Sequence, residues 1–302
     1  MISEKLNFIV IGAQKSGTTS LRMYLQEHPK INLPYGEAPF FNTDSEYKKG
    51  WDQYLNSIFT NLSKYDFLGK VSPQYMCDFR VPERIHETLP EVKLIALLRN
   101  PIDRAFSHYK MSVRRDLEKR NFDRVVKESL NPEVLAYSRS LVISNKESET
   151  SCYFVWGEYG RILSDYLEFF GKDRVLVVFS EHLESQPLSV VNRIIDFIGL
   201  KQDFIPNNIY ERFHVGAKDA ALRNLKRNIF LSSTWKFIPE SFRPSTRAFL
   251  KYLIDLAYLM PSRSNEINQD TRQNLNNFYK NDVQHLTQSF NIKVPWEEFN
   301  SL

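Results

Sequence analysis

The sequence is poor in cysteine, with only Cys77 and Cys152 among its 302 residues. They do not form a CxxC pair, and no histidines stand at the spacing of metal ligands, which argues against a structural zinc site. Two cysteines also cannot build the framework of a disulfide-stabilised secreted domain. A single bridge is the alternative, but we expect two free thiols in a reducing compartment and no metal site.

Long apolar runs and a leader sequence are also missing. The most apolar stretch, Ala248–Met260, is interrupted by Lys251 and Asp255 and falls short of the ~18 residues that a membrane span requires. The strand-like run Leu6–Ile11 begins without the basic segment and cleavage site of a signal peptide. These absences predict a soluble, cytoplasmic protein without a transmembrane segment.

A strong excess of one charge is absent as well. The net charge is +4, and the lysines and arginines are dispersed along the chain. A dedicated nucleic-acid-binding protein carries dense basic runs or a recognisable module, and this sequence has neither. We therefore expect no nucleic-acid partner, whereas the mild positive charge suits an anionic ligand.

Short apolar runs alternate with helical periodicity along the chain. Runs typical of buried strands are Phe8–Ile11, Val92–Leu98 and Val175–Phe179. Helices are predicted at Thr18–Gln26, from Pro101 onward, from Tyr159 to Phe170, at Leu188–Ile198 before Gly199, and from Leu275 to Phe290. Strands that are apolar throughout and separated by helices form a parallel sheet covered on both faces. The predicted fold is α/β, a P-loop-like doubly wound parallel sheet flanked by helices.

The first strand leads into a glycine-containing loop and then into a helix. Glycine allows a tight turn and close approach of the backbone to a ligand, and N–H groups at a helix start point toward an anion. Lys15 adds a positive charge, and neighbouring side chains add hydrogen-bonding groups. The residues assigned to this phosphate-binding loop are Gln14, Lys15, Ser16, Gly17, Thr18, Thr19 and Ser20. It is not a Walker A motif, because the lysine precedes the second glycine and no residue is placed for Mg²⁺.

A second anion site is predicted at the end of another strand. Arg99 follows Val92–Leu98, at the carboxyl end where open α/β sheets bind ligands. Pro101 then opens a helix, and Ser107 lies about two turns into it. An arginine at a strand end together with a serine on the following helix can hold an anion apart from the first loop.

These two motifs resemble those of a known enzyme family. Gly12–Leu21 (GAQKSGTTSL) is similar to the 5′-phosphosulfate loop, and Leu97–Tyr109 (LLRNPIDRAFSHY) to the 3′-phosphate motif, of sulfotransferases that use 3′-phosphoadenosine-5′-phosphosulfate (PAPS). The resemblance covers nearly the whole chain and is weakest at residues 116–151 and 216–263. It is nearer to the bacterial and heparan-sulfate branch than to the cytosolic enzymes that act on small phenols.

The resemblance implies a reaction and roles for its residues. A sulfuryl group would move from PAPS to a hydroxyl or amine of a carbohydrate, glycolipid or small metabolite, releasing PAP without a metal ion. The phosphate-binding loop would hold the 5′ phosphosulfate, and Arg99 and Ser107 the 3′ phosphate. Lys15 would stabilise the leaving phosphate. A late loop containing Gly216 and Lys218 would close over the nucleotide, with an ordinary surface loop as the alternative.

The resemblance also indicates a general base. Glu37, in Tyr35–Phe41 (YGEAPFF), aligns with the E-x-H-F-F pattern of the family. Burial beside aromatic rings would raise its pKa toward the working range of a base. His108 is the competing base, with a structural or nucleotide-contacting role as its alternative.

The chain departs from the family at two places. Pro39 stands where relatives often have histidine, and Lys70-Val71-Ser72-Pro73 replaces a Glu-Lys pair before Ser-Pro. Those positions handle the acceptor in heparan-type enzymes, so the departures argue against a heparan-like acceptor. We expect Lys70 to face the donor or the acceptor.

Two segments are open to different interpretations. The basic residues Lys110, Arg114, Arg115, Lys119 and Arg120 are predicted to continue the helix after Ser107 as an exposed, salt-bridged face, with guidance of an anionic acceptor as the alternative. The aromatic and basic residues 216–263 form either a helical lid or acceptor-side subregion of a single domain spanning 1–302, or solvated amphipathic helices. Peripheral membrane contact through that segment is a further hypothesis.

Two other functions remain alternatives. A P-loop-type nucleotide kinase would need Mg²⁺ ligands and a Lys-Ser/Thr pair after the second glycine, and the sequence lacks both. A non-catalytic protein that binds PAP or PAPS would keep both anion sites without turnover, and the departures at Pro39 and Val71 are its only support.

Overall fold

The computed structural model of the chain describes residues 6–34, 36–59, 67–143, 146–201, 204–211 and 266–300. By its contacts the chain divides into two units, Met1–Phe213 with Gln269–Leu302, and His214–Asn268. All elements named below belong to the first unit. The segment 216–263, with the predicted loop residues Gly216 and Lys218, lies outside the described residues.

A parallel sheet of five strands forms the centre of the first unit. The strands are β1 (Phe8–Gly12), β2 (Ile31–Asn32), β3 (Phe67–Val71), β4 (Lys93–Leu98) and β5 (Val175–Phe179). Their spatial order is β2-β3-β1-β4-β5, and every pair is parallel. Phe8 lies opposite Gly69 on one side and Lys93 on the other, so β1 is central.

Twelve α-helices in the described ranges connect and cover the strands. They are α1 (Thr18–Gln26), α2 (Asp44–Tyr47), α3 (Trp51–Ile58), α4 (Val81–Thr88), α5 (Pro101–Arg114), α6 (Phe122–Ser129), α7 (Pro132–Ser140), α8 (Lys146–Ser151), α9 (Tyr159–Phe170), α10 (Ser180–Ser185), α11 (Pro187–Ile198) and α12 (Gln269–Phe290). None of them is long and apolar enough to cross a membrane.

One face of the sheet packs against α1 and α11. Alternate residues of the strands point to this face, and they form one buried cluster with apolar side chains of the two helices. Its members include Val10, Leu21, Leu25, Ile95, Val178, Ile194 and Ile195. The apolar side chains on one face of α1 thereby anchor this helix, which follows the phosphate-binding loop, to the sheet.

Elsewhere in the first unit, α9 and α12 approach each other closely. The Asp282 carboxylate accepts hydrogen bonds from the backbone N–H groups of Gly160 and Arg161, at 2.9 and 2.8 Å, and so caps the start of α9. A Cβ atom on Gly160 would lie 2.3 Å from the Asp282 carbonyl oxygen, so only glycine fits this contact. The Tyr279 hydroxyl adds a hydrogen bond to the Phe154 carbonyl at 2.9 Å.

The predicted α/β fold is confirmed, together with its three strands. Helix α1 has the predicted limits, Asn100 caps α5 through Ile102 N and Asp103 N, and Gly199 ends α11 at φ 95°. Strand β3 was not predicted from the sequence, because Gly69 and Lys70 interrupt its apolar run. Its partner β2 has only two residues.

The prediction of one helix through Lys119 and Arg120 is wrong. Helix α5 ends at Arg114, and Asp116 adopts a left-handed conformation at φ 61° that breaks the helix. Lys119 and Arg120 therefore lie beyond it, where they pair with Asp116 and Glu118.

Candidate functional site

The loop after β1 is held against the next strand. Ala13 N donates to the Leu97 carbonyl of β4 at 2.7 Å, and Ser16 N donates to the Ala13 carbonyl at 3.2 Å. Gly17, at φ 91°, is the N-cap residue of α1, and no side chain caps this helix start. Left-handed backbone at Lys15 (φ 74°) and Gly17 turns the chain sharply, as a loop that wraps an anion requires.

This loop lies at the switch point of the sheet. The chain leaves β1 toward β3 on one side and returns to β4 on the other, so the carboxyl ends of β1 and β4 open a crevice between them. Arg99 follows β4, and its Nη1 lies 3.4 Å from the Lys15 carbonyl oxygen. The Tyr159 hydroxyl donates to the Arg99 carbonyl at 3.0 Å. The two predicted anion sites are thus brought together.

Positive charge accumulates around Lys15. Burial is the main cause that lowers the pKa of Lys15 to about 8, and the charges of Arg114, Arg115 and Arg99 lower it further, while Glu149 opposes them. Three arginines thus act on Lys15 against one carboxylate, that of Glu149. A bound anion would relieve the repulsion between the positive groups, so the cluster favours an anionic ligand.

The inner face of α5 extends this positive region. Lys110 and Arg114 follow Ser107 by three and seven residues, so the three side chains share one helix face, and all are half-buried. Burial, then Arg99 and Arg114, lower the pKa of Lys110, and burial, then Arg115, lowers the pKa of Arg114. The predicted exposed, salt-bridged face is therefore wrong for Lys110 and Arg114.

The loop also contains buried polar atoms without partners. The Ser16 hydroxyl is fully buried, and neither its oxygen nor the Gln14 amide oxygen has a hydrogen-bond partner within the described part of the chain. Thr18 is buried, while Thr19 and Ser20 are half-buried in the first turn of α1. A cradle of hydroxyl, amide and backbone N–H groups beside Lys15 fits the phosphosulfate end of a nucleotide.

His108 lies behind this region rather than in an open cleft. It is fully buried, stacked on Trp156 at a centroid distance of 5.0 Å and edge-on to Tyr153 at 4.9 Å. Its Nε2 lies 3.3 Å from Glu149 Oε2. Burial lowers the pKa of His108 to about 4 in spite of that contact, so the ring is neutral at neutral pH. This position matches the structural alternative for His108 better than the role of base.

Glu149, on α8, was missed by the sequence reasoning. Its carboxylate contacts His108 at 3.3 Å, Gln74 Nε2 at 3.4 Å and Arg115 Nη1 at 3.6 Å. Burial would raise the pKa of Glu149, but His108, Arg115 and Lys15 outweigh burial and hold it below its usual range. Nothing in the acidic stretch 147–149 distinguishes this glutamate from Glu147 by sequence alone.

Glu37 stands at the mouth of the same region. The residue is exposed to solvent, yet neighbouring protein partly surrounds its carboxylate. This partial burial raises the pKa of Glu37, while the charges of Arg22, Lys70 and Arg115 oppose the rise. The carboxylate shares electrostatic neighbours, Arg115 and Glu149, with Lys15. The predicted base and the predicted phosphate-binding lysine are therefore both influenced by these two charges.

Lys70 faces neither donor nor acceptor space, contrary to our expectation. Its side chain is buried, and Nζ turns toward the Ala38 carbonyl and the Tyr54 hydroxyl. A charged residue within a strand buried on both faces was the one indication in the sequence that this lysine has internal partners.

No cluster of three or more histidine, cysteine, aspartate or glutamate side chains that could hold a metal occurs in the described ranges. Cys77 and Cys152 are both free thiols.

Comparisons with known proteins identify the family and agree with the fold. The model of the sulfotransferase domain family matches residues 5–286. A crystal structure of a sulfotransferase from Alicyclobacillus acidocaldarius superposes with a TM-score of 0.66 at 22% identity, covering 96% of this chain and 97% of that one.

Curated relatives are longer proteins. The mouse bifunctional heparan sulfate N-deacetylase/N-sulfotransferase 4 is 30% identical over 209 residues, which are 64% of this chain and 22% of that protein. The human heparan sulfate glucosamine 3-O-sulfotransferase 6 is 29% identical over 203 residues, which are 67% of this chain and 54% of that protein. The chain thus spans between about a fifth and about half of the length of these relatives.

Proposed function

Because this chain belongs to the sulfotransferase family, we propose that it transfers the sulfuryl group of PAPS to a hydroxyl or amine of a carbohydrate acceptor and releases PAP. The observation that carries the proposal is the convergence of Lys15, Arg99 and the inner face of α5 at the switch point of the sheet. These positive groups support binding of an anion such as the phosphates of PAPS.

The donor end of the proposed reaction depends on the loop after β1. The Ser16 hydroxyl, the α1 N-terminus and Lys15 would bind the 5′ phosphosulfate, and Arg99 with Ser107 would bind the 3′ phosphate. As the bond between sulfur and the bridging oxygen breaks, negative charge grows on the departing phosphate. The Lys15 ammonium stabilises that charge.

The acceptor end of the proposed reaction depends on Glu37. The acceptor oxygen or nitrogen forms a new bond to sulfur in line with the bond that breaks, and its proton passes to the Glu37 carboxylate. Partial burial raises the pKa of Glu37 toward the range in which a carboxylate can take a proton during turnover. His108 is buried and bonded to Glu149, so Glu37 is the better supported base.

A carbohydrate acceptor is supported by the relatives. Two of them are heparan sulfate sulfotransferases by name, one an N-sulfotransferase and the other a 3-O-sulfotransferase. Cationic side chains near Glu37, namely Arg22 and Arg115, would favour a sugar that carries negative charge. Pro39 and Lys70 still distinguish this acceptor region from the heparan-type pattern.

Calorimetric titration with PAP, in the absence of metal, tests the donor site. We expect the wild type to bind with a Kd of order micromolar, equivalent to ~8 kcal/mol. Arg99→Ala should lose most of this binding, because it removes the charge proposed to meet the 3′ phosphate. Arg174→Ala is the matched control, since Arg174 precedes the amino end of β5, whereas the site lies at the carboxyl ends of the strands, and it pairs with Glu91.

The outcomes separate the proposal from its alternatives. Absence of PAP binding by the folded wild type would refute the donor assignment. Binding of ATP only when Mg²⁺ is present would favour the nucleotide kinase. Tight PAP binding that is lost in Arg99→Ala and kept in Arg174→Ala supports the sulfotransferase.

A further inference from the structure

A lysine is buried directly beneath the loop that carries Glu37. Lys70 of β3 has 1% of its surface exposed, and its Nζ contacts the Tyr54 hydroxyl and the Ala38 carbonyl and lies 3.4 Å from the Glu37 carbonyl. Within the described part of the chain, no carboxylate lies in ion-pair range of this nitrogen. A buried ammonium without a counter-ion is costly, so its retention calls for another role.

The hydrogen bonds around Nζ match an ammonium group. The Tyr54 hydroxyl donates a hydrogen bond to the Ala38 carbonyl at 2.5 Å. Toward Lys70 its oxygen can therefore act only as an acceptor. Three oxygen atoms therefore face Nζ as acceptors, and an ammonium has three N–H donors. A neutral amine has only two and would leave one acceptor without its donor.

The same contacts fix the backbone beside Glu37. Lys70 reaches the carbonyls of Glu37 and Ala38, and the Ser72 hydroxyl, two residues further along, donates to the Glu37 carbonyl at 3.2 Å. Helix α3 contributes Tyr54 to the same carbonyl pair. The loop is thus fastened to the end of β3, next to the predicted phosphate-binding loop on the adjacent strand β1.

We propose that Lys70 is a positioning residue whose ammonium ties the loop of Glu37 to β3 and so holds the Glu37 carboxylate at the mouth of the site. The role of Glu37 as base rests on the proposed function, whereas the tie itself does not. Lys70 touches no reacting atom, and its effect on transfer passes through the position of Glu37.

The tie depends on pH. The titratable groups that face Lys70 are Glu37 on the loop, Tyr54 on α3 and Tyr75 in the turn after β3. Burial lowers the pKa of Lys70 to about 7, although the charge of Glu37 opposes the change, and burial raises the pKa of both tyrosines, which stay neutral. Opening of the loop would hydrate Nζ and restore its usual pKa, so the open state binds more protons above about pH 7. By linkage the loop should therefore open less readily as pH rises through about 7.

Hydrogen exchange of the intact protein without nucleotide tests the tie directly. Protection factors of the backbone amides in residues 36–42, corrected for intrinsic exchange, are measured between pH 6 and 8. We expect the wild-type protection to rise between pH 6 and 8. Lys70→Met should show about tenfold lower protection at pH 8, the order expected for lost hydrogen bonds, and no change with pH.

A matched control and a second variant keep the test sharp. Lys93→Met removes another strand lysine, which lies on β4, separated from β3 by β1. Its ammonium donates to the Phe197 carbonyl at 2.6 Å, and the variant should leave residues 36–42 unchanged. Tyr54→Phe keeps the lysine but removes one acceptor, and it carries the test if Lys70→Met does not fold. We expect it to lower the protection of the same amides.

The proposal and the proposed function fail separately. Unchanged protection in both Lys70→Met and Tyr54→Phe, or an equal loss in Lys93→Met, would overturn the positioning role even in an active enzyme. If the wild type binds no PAP, the donor assignment fails while the exchange data still decide the role of Lys70. In an active enzyme, Lys70→Met should lower kcat with PAP affinity unchanged, because the variant disturbs the base and not the donor site.

Discussion

Single residues in this site act mostly through their charges. Lys15 is surrounded by the guanidinium groups of Arg114, Arg115 and Arg99, and Glu149 is the acid among its neighbours that counters them. The protonation of Lys15 is therefore a property of the whole cluster rather than of the loop alone. The same holds for Glu37, whose pKa reflects burial against three nearby cations.

The charge of Lys15 predicts how donor binding depends on pH. The pKa of Lys15 is about 8, so its ammonium is present below pH 8 and is lost above it. PAP affinity, measured by calorimetry from pH 6.5 to 9.5, should fall with a midpoint near 8. Glu149→Gln should move this midpoint to lower pH, because the variant removes the carboxylate that stabilises the ammonium. A midpoint that stays in place would show that Glu149 does not act on Lys15.

Removal of the proposed base should separate chemistry from binding. Glu37→Gln keeps the shape of the side chain but cannot accept the proton of the acceptor. We expect its transfer rate to fall by about 10²- to 10⁴-fold, the usual contribution of a general base, with PAP affinity unchanged. Glu147→Gln, a change at an exposed position of α8, serves as the control and should keep full activity. Equal rates for Glu37→Gln and wild type would remove Glu37 from the mechanism.

Among the elements, the pair α9 and α12 depends on one glycine. Alanine in place of Gly160 would bring its Cβ to 2.3 Å from the backbone oxygen of Asp282, and a backbone atom cannot turn away as a side chain can. The gain in helix propensity from glycine to alanine, about 1 kcal/mol, does not offset such a clash. The helices would have to separate, and the Asp282 cap would weaken.

Gly160→Ala should therefore lower the free energy of unfolding by about 1–3 kcal/mol, as overpacking does elsewhere. Urea unfolding followed by circular dichroism measures this difference. Glu168→Ala, at an exposed position of the same helix, should change it by no more than about 0.5 kcal/mol. Equal stabilities for Gly160→Ala and wild type would mean that the two helices tolerate a wider spacing.

The elements also show where sequence reasoning succeeds. Strands β1, β4 and β5 were predictable because their apolar runs are continuous, and α5 and α11 because Asn100-Pro101 and Gly199 mark their ends. Strand β3 was not, since Gly69 and Lys70 disguise it. The end of α5 was predicted too far along the chain, because the pattern of charged residues continues past Asp116 whereas the helical conformation ends before it. The partners of Lys70 and Glu149 come from segments remote in sequence, and local patterns cannot reveal them.

For the whole molecule, the buried charge of Lys70 affects the free energy of unfolding in the same sense as it affects opening of the loop. Below pH 7 both folded and unfolded states hold the proton, and the cost of burying the charge is fully present. Between pH 7 and the unfolded value of 10.5 the unfolded state binds more protons, so this cost is relieved as pH rises.

Wild-type stability relative to Lys70→Met should therefore increase between pH 7 and 9, by up to ~1.4 kcal/mol per pH unit. Urea unfolding of both proteins at several pH values measures the difference. Lys93→Met provides the comparison for a half-buried strand lysine. Parallel pH curves for wild type and Lys70→Met would show that Lys70 titrates alike in the folded and unfolded protein.

The capping of α9 by α12 has a consequence for folding of the protein during translation. The hydroxyl of Tyr159, the first residue of α9, donates a hydrogen bond to the Arg99 carbonyl. Asp282, which caps this helix, is translated much later. At 5–20 residues per second, translation of the 98 residues between α9 and α12 takes roughly 5 to 20 seconds. During that interval the nascent chain carries its donor loops without their final support, so competence to bind nucleotide should be acquired only late in translation.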